Sequence, residues 1–163
     1  MIYGEPEELQ PISIFGASCA RPCKKEDFPQ PFPLQDFRPE PAGAYFSWAP
    51  LRAVLSTRTF YEKDTGLCRG IVVYYENGGS RAVGQCRLHV DGSTLVARPT
   101  RICFLAIMYL SRLGKRERHG IRVEFWGDGH HPHRHNGEGW KCRPLRGDVQ
   151  LSFTEDSSYL AVE

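Results

Sequence analysis

The densest group of reactive side chains lies between Trp126 and Trp140, in Trp-Gly-Asp-Gly-His-His-Pro-His-Arg-His-Asn-Gly-Glu-Gly-Trp. Four of the six histidines fall here: His130, His131, His133 and His135. Neutral imidazole is the commonest metal ligand among side chains. In an extended segment alternate residues point to one side. That places His131, His133 and His135 together, with Asp128 or Glu138 as an added carboxylate. Three or four such groups at about 2.0–2.2 Å hold zinc. Against this, a loop rich in glycine loses conformational entropy when it closes around an ion, and no His-Glu-x-x-His is present. The flanking Trp126 and Trp140 suggest different chemistry. Aromatic rings beside a polar loop suit stacking on a sugar or contact with a protein surface. On that reading Trp126, Asp128 and Trp140 form the ligand-binding set.

Other local patterns are weaker. Cys19-Ala-Arg-Pro-Cys23 has a three-residue gap, unlike the Cys-x-x-Cys of redox and zinc-knuckle sites. Asp91, Asp148, Glu155 and Asp156 would serve as a general acid/base pair only if the fold brought two of them together. Gly114-Lys-Arg-Glu-Arg-His-Gly120 is a short basic run of the kind found in a solvated turn. No nucleophile elbow, P-loop or dinucleotide fingerprint occurs.

The charge balance limits the partners. The net charge of +2 is small for a dedicated nucleic-acid-binding domain. Residues 1–50 carry four Lys/Arg against seven Asp/Glu, and residues 51–163 carry seventeen against twelve. Sixteen of the 21 basic residues are arginine, which suits fixed bidentate contacts better than lysine does. Early acidic residues Glu5, Glu7 and Glu8 occupy the place of a secretory n-region. The longest apolar run, Ile102 to Leu110, has nine residues, whereas a membrane helix needs about twenty. These features predict a cytoplasmic protein without membrane or nucleic-acid partners. The six cysteines (Cys19, Cys23, Cys68, Cys86, Cys103 and Cys142) are then expected to be reduced.

The elements that must position these residues are strands. Nine of the twelve prolines lie between Pro6 and Pro50. Proline removes a backbone donor and pushes its predecessor to extended geometry. Residues 1–44 therefore read as an extended arm, with Phe28, Phe32, Leu34 and Phe37 anchoring it on the domain. Residues 45–163 read as one β-rich domain. Ala53–Tyr61 and Gly70–Tyr75 are rich in β-branched and aromatic residues. Asn77-Gly78 is a strong hairpin signal, returning through Ser80–Arg87. Further strands are expected at Thr94–Ala97, Ile121–Trp126, Trp140–Arg143, Val149–Phe153 and Tyr159–Val162. The run Arg101 to Leu113 fits neither the helical nor the strand period, so a short helix and a buried strand both remain open. About seven or eight short strands with turn residues between them predict an antiparallel β-sandwich, barrel or β-prism.

Gly66 to Arg87, ending in Gly-Gln-Cys-Arg, resembles a module of uncharacterised proteins from filamentous fungi. A glycine opens one strand there, a glycine turn reverses it, and Gly-Gln-Cys-Arg closes the return. Arg101-Ile-Cys-Phe104, Trp140-Lys-Cys142, Gly147 and Leu151–Phe153 are also similar. The resemblance covers about half the chain and implies a fold class rather than an activity. Leu105 to Gly120 reads as an insertion relative to that module. The hairpin is also similar, more loosely, to jacalin-like β-prism lectins.

These observations lead to the expectation of a non-catalytic binding module for a carbohydrate or protein ligand, with no cofactor. The alternative is a metal-dependent enzyme holding zinc through His131, His133 and His135.

Overall fold

The computed structural model describes residues 45–110, 117–127, 135, 139–154 and 157–163. The proline-rich arm lies outside them. Among the described residues ten strands follow in chain order: β1 (Tyr45–Pro50), β2 (Val54–Tyr61), β3 (Cys68–Tyr75), β4 (Ser80–Gly84), β5 (Gly92–Ala97), β6 (Pro99–Leu110), β7 (Glu117–Gly127), β8 (Lys141–Pro144), β9 (Asp148–Phe153) and β10 (Ser158–Val162). They form three antiparallel sheets, ordered β1-β9-β10, β4-β3-β2-β5 and β7-β6-β8. No sheet closes into a barrel, and the layers pack as a β-sandwich. Among the described residues no helix is present, and none is long and apolar enough to cross a membrane.

One apolar core joins all three sheets. It takes Ala49 from β1, Ile71 and Val73 from β3, Val83 from β4, Ile102 from β6, Val123 and Phe125 from β7, and Val149 and Leu151 from β9. The strand period of two explains the choice. Directly opposed residues share a face, so Val83, Ile71, Thr59 and Thr94 form one row across β4, β3, β2 and β5. Val83 and Ile71 are fully buried, Thr59 is nearly so, and Thr94 is exposed. The row therefore leaves the core at β5.

The ambiguous run resolves as a strand. β6 is twelve residues long, pairs with β7 over its whole length and with β8 over Arg101–Phe104. Its core-facing side begins with the buried Ile102 and ends with Met108 and Leu110, 63% and 64% exposed. A strand that outruns the layer beneath it keeps its apolar residues without burying them all. That is why neither period fitted. β1 is the strand that the sequence concealed: Pro50 ends it, and proline is tolerated at such an end because it cannot donate to a ladder.

The four described cysteines divide into two groups. Cys103 and Cys142 stand opposite each other on β6 and β8, with Cα atoms 4.1 Å apart, and form a disulfide. This corrects the expectation of reduced thiols at those two positions. Thirty-nine residues separate them in sequence, so only the strand register makes them neighbours. Cys68 and Cys86 are free. Burial pushes the Cys68 thiol up to about 12 and the Cys86 thiol up to about 11. The thiolate is the nucleophile, so both are expected to resist iodoacetamide at pH 8 in the folded protein and to react readily in concentrated urea. Mass spectrometry of timed samples checks this; labelling of Cys68 at the same rate in both solvents would contradict it.

Candidate ligand-binding groove

A groove of about 480 Å³ opens between the sheet that carries β2 and β5 and the edge strand β7. One wall is Thr59 and Tyr61 of β2 with Thr94 and Val96 of β5. The other is β7 from Arg122 to Trp126. Its position follows from the row described above: β5 extends the inner face of its sheet beyond the layer that would cover it. Both β5 and β7 are edge strands in their sheets.

Each wall has a local cause. Tyr61 stands opposite Gly92 in the β2–β5 register. A Cβ on Gly92 would come within 2.8 Å of the Tyr61 ring at Cζ, so the missing side chain lets the ring lie across β5. On β7, Ile121, Val123 and Phe125 face the core, while Arg122 and Glu124 are exposed and Trp126 is half-buried. Alternation thus brings a cation, a carboxylate and an indole to one side of a single strand. The Arg122 guanidinium donates to the Thr65 carbonyl at 3.2 Å, holding it above the turn at Gly66.

Behind Trp126 lies an aromatic cluster. The His135 ring stacks on Trp140 with centroids 3.9 Å apart at 21°, and meets Trp126 edge-on at 6.0 Å. His135 Nε2 lies 3.1 Å from Glu124 Oε2. An ionised carboxylate only accepts, so the ring nitrogen carries the proton of this bond. The His135 side chain is 12% exposed and that of Glu124 47%. The histidine is therefore a spacer between two indoles, and the carboxylate keeps an accessible side. Trp126 Nε1 is buried and has no hydrogen-bond partner among the described residues. The indole makes its ring contact with His135.

The structure brings Trp126 and Trp140 together through His135. Asp128, His131 and His133 lie outside the described residues, as do His130 and Glu138. Among the described residues no group of three or more His, Cys, Asp or Glu side chains is arranged to hold a metal ion. Of the four acids weighed as an acid/base pair, Asp91 accepts two hydrogen bonds from Arg87, at 2.6 and 2.9 Å. Asp148 opens β9 opposite Pro50, and Glu155 and Asp156 lie outside the described residues.

Sequence reasoning missed Tyr61, Thr94, Arg122 and Glu124 as site residues. Arg122-x-Glu124-x-Trp126 was legible as one face of a strand. Nothing local marked this strand as the wall of a groove, because the opposite wall is supplied by β2 and β5.

The chain matches no protein-family model, no curated protein and no solved structure.

Proposed function

We propose that this domain is a non-catalytic binding module whose groove takes a carbohydrate. One observation carries the reading: two aromatic side chains, Tyr61 and Trp126, share an open groove with Thr59, Thr94, Arg122 and Glu124. A sugar ring has C–H faces that pack on aromatic rings and hydroxyls that both donate and accept. Threonine hydroxyls exchange either role, a guanidinium donates, and a carboxylate accepts. Pockets that bind small ligands combine mostly apolar walls with a few placed polar groups in this way. A protein surface as ligand is the second reading, and the same experiment separates the two.

The test is a glycan array probed with the full chain, followed by titration of the best hit. Saturable binding that is lost when the groove is altered is the expected result. Absence of any glycan hit, with protein partners captured on the same surface, would overturn the choice of ligand.

A further inference from the structure

We infer that the Cys103–Cys142 disulfide is a redox-sensitive lock that positions the Trp140–His135 stack beside Trp126. The inference rests on the proposed binding reading only for its effect on ligand; the lock itself rests on geometry. Cys103 faces Glu124 across the β6–β7 pair and Cys142 across the β6–β8 pair. Opposed residues in antiparallel strands share a face, so Glu124, Cys103 and Cys142 form one row across the sheet. Glu124 bonds His135, His135 stacks on Trp140, and Trp140 lies two residues before Cys142. The contacts close into a ring in which the disulfide is the covalent cross-strand link.

That link matters because β8 is the shortest of the described strands. It has four residues, lies at a sheet edge and, among the described strands, pairs with β6 alone. Short edge strands are among the first elements to open locally. Cys103 is fully buried, whereas Cys142 is half-buried on the edge strand, so a small dithiol reaches Cys142 first. Its thiolate attacks Cys142 Sγ and forms a mixed disulfide. The Cys103–Cys142 bond breaks, and Cys103 leaves with the electron pair and takes up a proton. The second thiol of the reductant then displaces Cys142, which is also protonated. The reductant ends as its own disulfide and the protein as two thiols. The aromatic stack then loses its covalent cross-strand link and keeps only non-covalent ones, the backbone bonds of β8 and the His135–Glu124 bond among them.

The experiment compares the full chain oxidised, after dithiothreitol, and after reoxidation. Maleimide labelling counts thiols, circular dichroism follows strand content, and proton NMR follows the His135 ring, assigned with His135→Asn. Reduction should release two further thiols with strand content unchanged. It should move the His135 ring protons away from the shifted positions that stacking on an indole imposes, and reoxidation should restore them. Cys142→Ser should match the reduced protein, which guards against side effects of the reductant. Unmoved His135 resonances after confirmed reduction would overturn the lock, as would failure of the bridge to reduce in the folded protein. If the oxidised protein binds no glycan yet the resonances respond, the groove reading fails and the lock stands. If both hold, affinity for the best glycan should fall at least fivefold on reduction.

Discussion

Gly84→Ala is expected to destabilise the domain by at least about 3 kcal/mol, near the upper end of single substitutions. Two costs combine there. Gly84 has φ +75°, a conformation that costs an L-residue roughly 1–2 kcal/mol. A Cβ at this position would also strike the Leu151 side chain and stand 2.6 Å from the Arg69 carbonyl oxygen. Backbone on one side and a fully buried core leucine on the other leave no cheap relief. The opposed Gly70 is equally enclosed, with a Cβ 2.6 Å from the Gln85 oxygen. The two strands meet there at a separation that only glycine permits. The Gly84 amide also donates to Ser47 Oγ at 2.7 Å, which ties β4 to β1. Gly78→Ala separates the two costs. It has φ +82° but nothing within 4 Å of a Cβ, so its penalty should stay near 1 kcal/mol. Urea unfolding followed by circular dichroism measures both. A loss below 1 kcal/mol for Gly84→Ala would refute the close-approach argument.

For a groove that binds carbohydrate, Tyr61→Ala and Trp126→Ala should each weaken the best glycan at least tenfold, about 1.4 kcal/mol. Buried aromatic anchors dominate binding energy, and neighbouring polar contacts mainly exclude water. Tyr61→Phe keeps the ring and should lose far less. Gly92→Ala reaches the same site indirectly, because its methyl group would meet the Tyr61 ring and displace it from the wall. Its affinity should fall while Met108→Ser, altering a residue 63% exposed and outside the groove lining, leaves affinity unchanged. Isothermal titration with folding checked by circular dichroism reads these differences. Equal affinity in wild type, Tyr61→Ala and Trp126→Ala would move the site elsewhere on the molecule.

Much of the fold was legible in the amino-acid order because strand formation is largely local. β-branched and aromatic runs, alternation along Ile121–Trp126 and the Asn77-Gly78 turn each signal their own conformation within a few residues. The same holds for the all-β class. β6 was not legible, because its apolar residues answer to a second layer that ends partway along it. Pairings remote in sequence were not legible either. The β6–β8 register alone makes Cys103 and Cys142 neighbours, and spacing could not distinguish that bridge from six free thiols.

The candidate site divides in the same way. The sequence by itself determined which side chains alternate on β7 and that two tryptophans bracket a histidine-rich stretch. The tertiary structure decided that Tyr61 and Thr94 face Arg122 and Trp126 across a groove, and that His135 joins the two indoles. The physical reason is range. Backbone preference acts between adjacent residues, whereas a groove is what remains uncovered after whole sheets pack, and its walls come from strands that never meet in sequence.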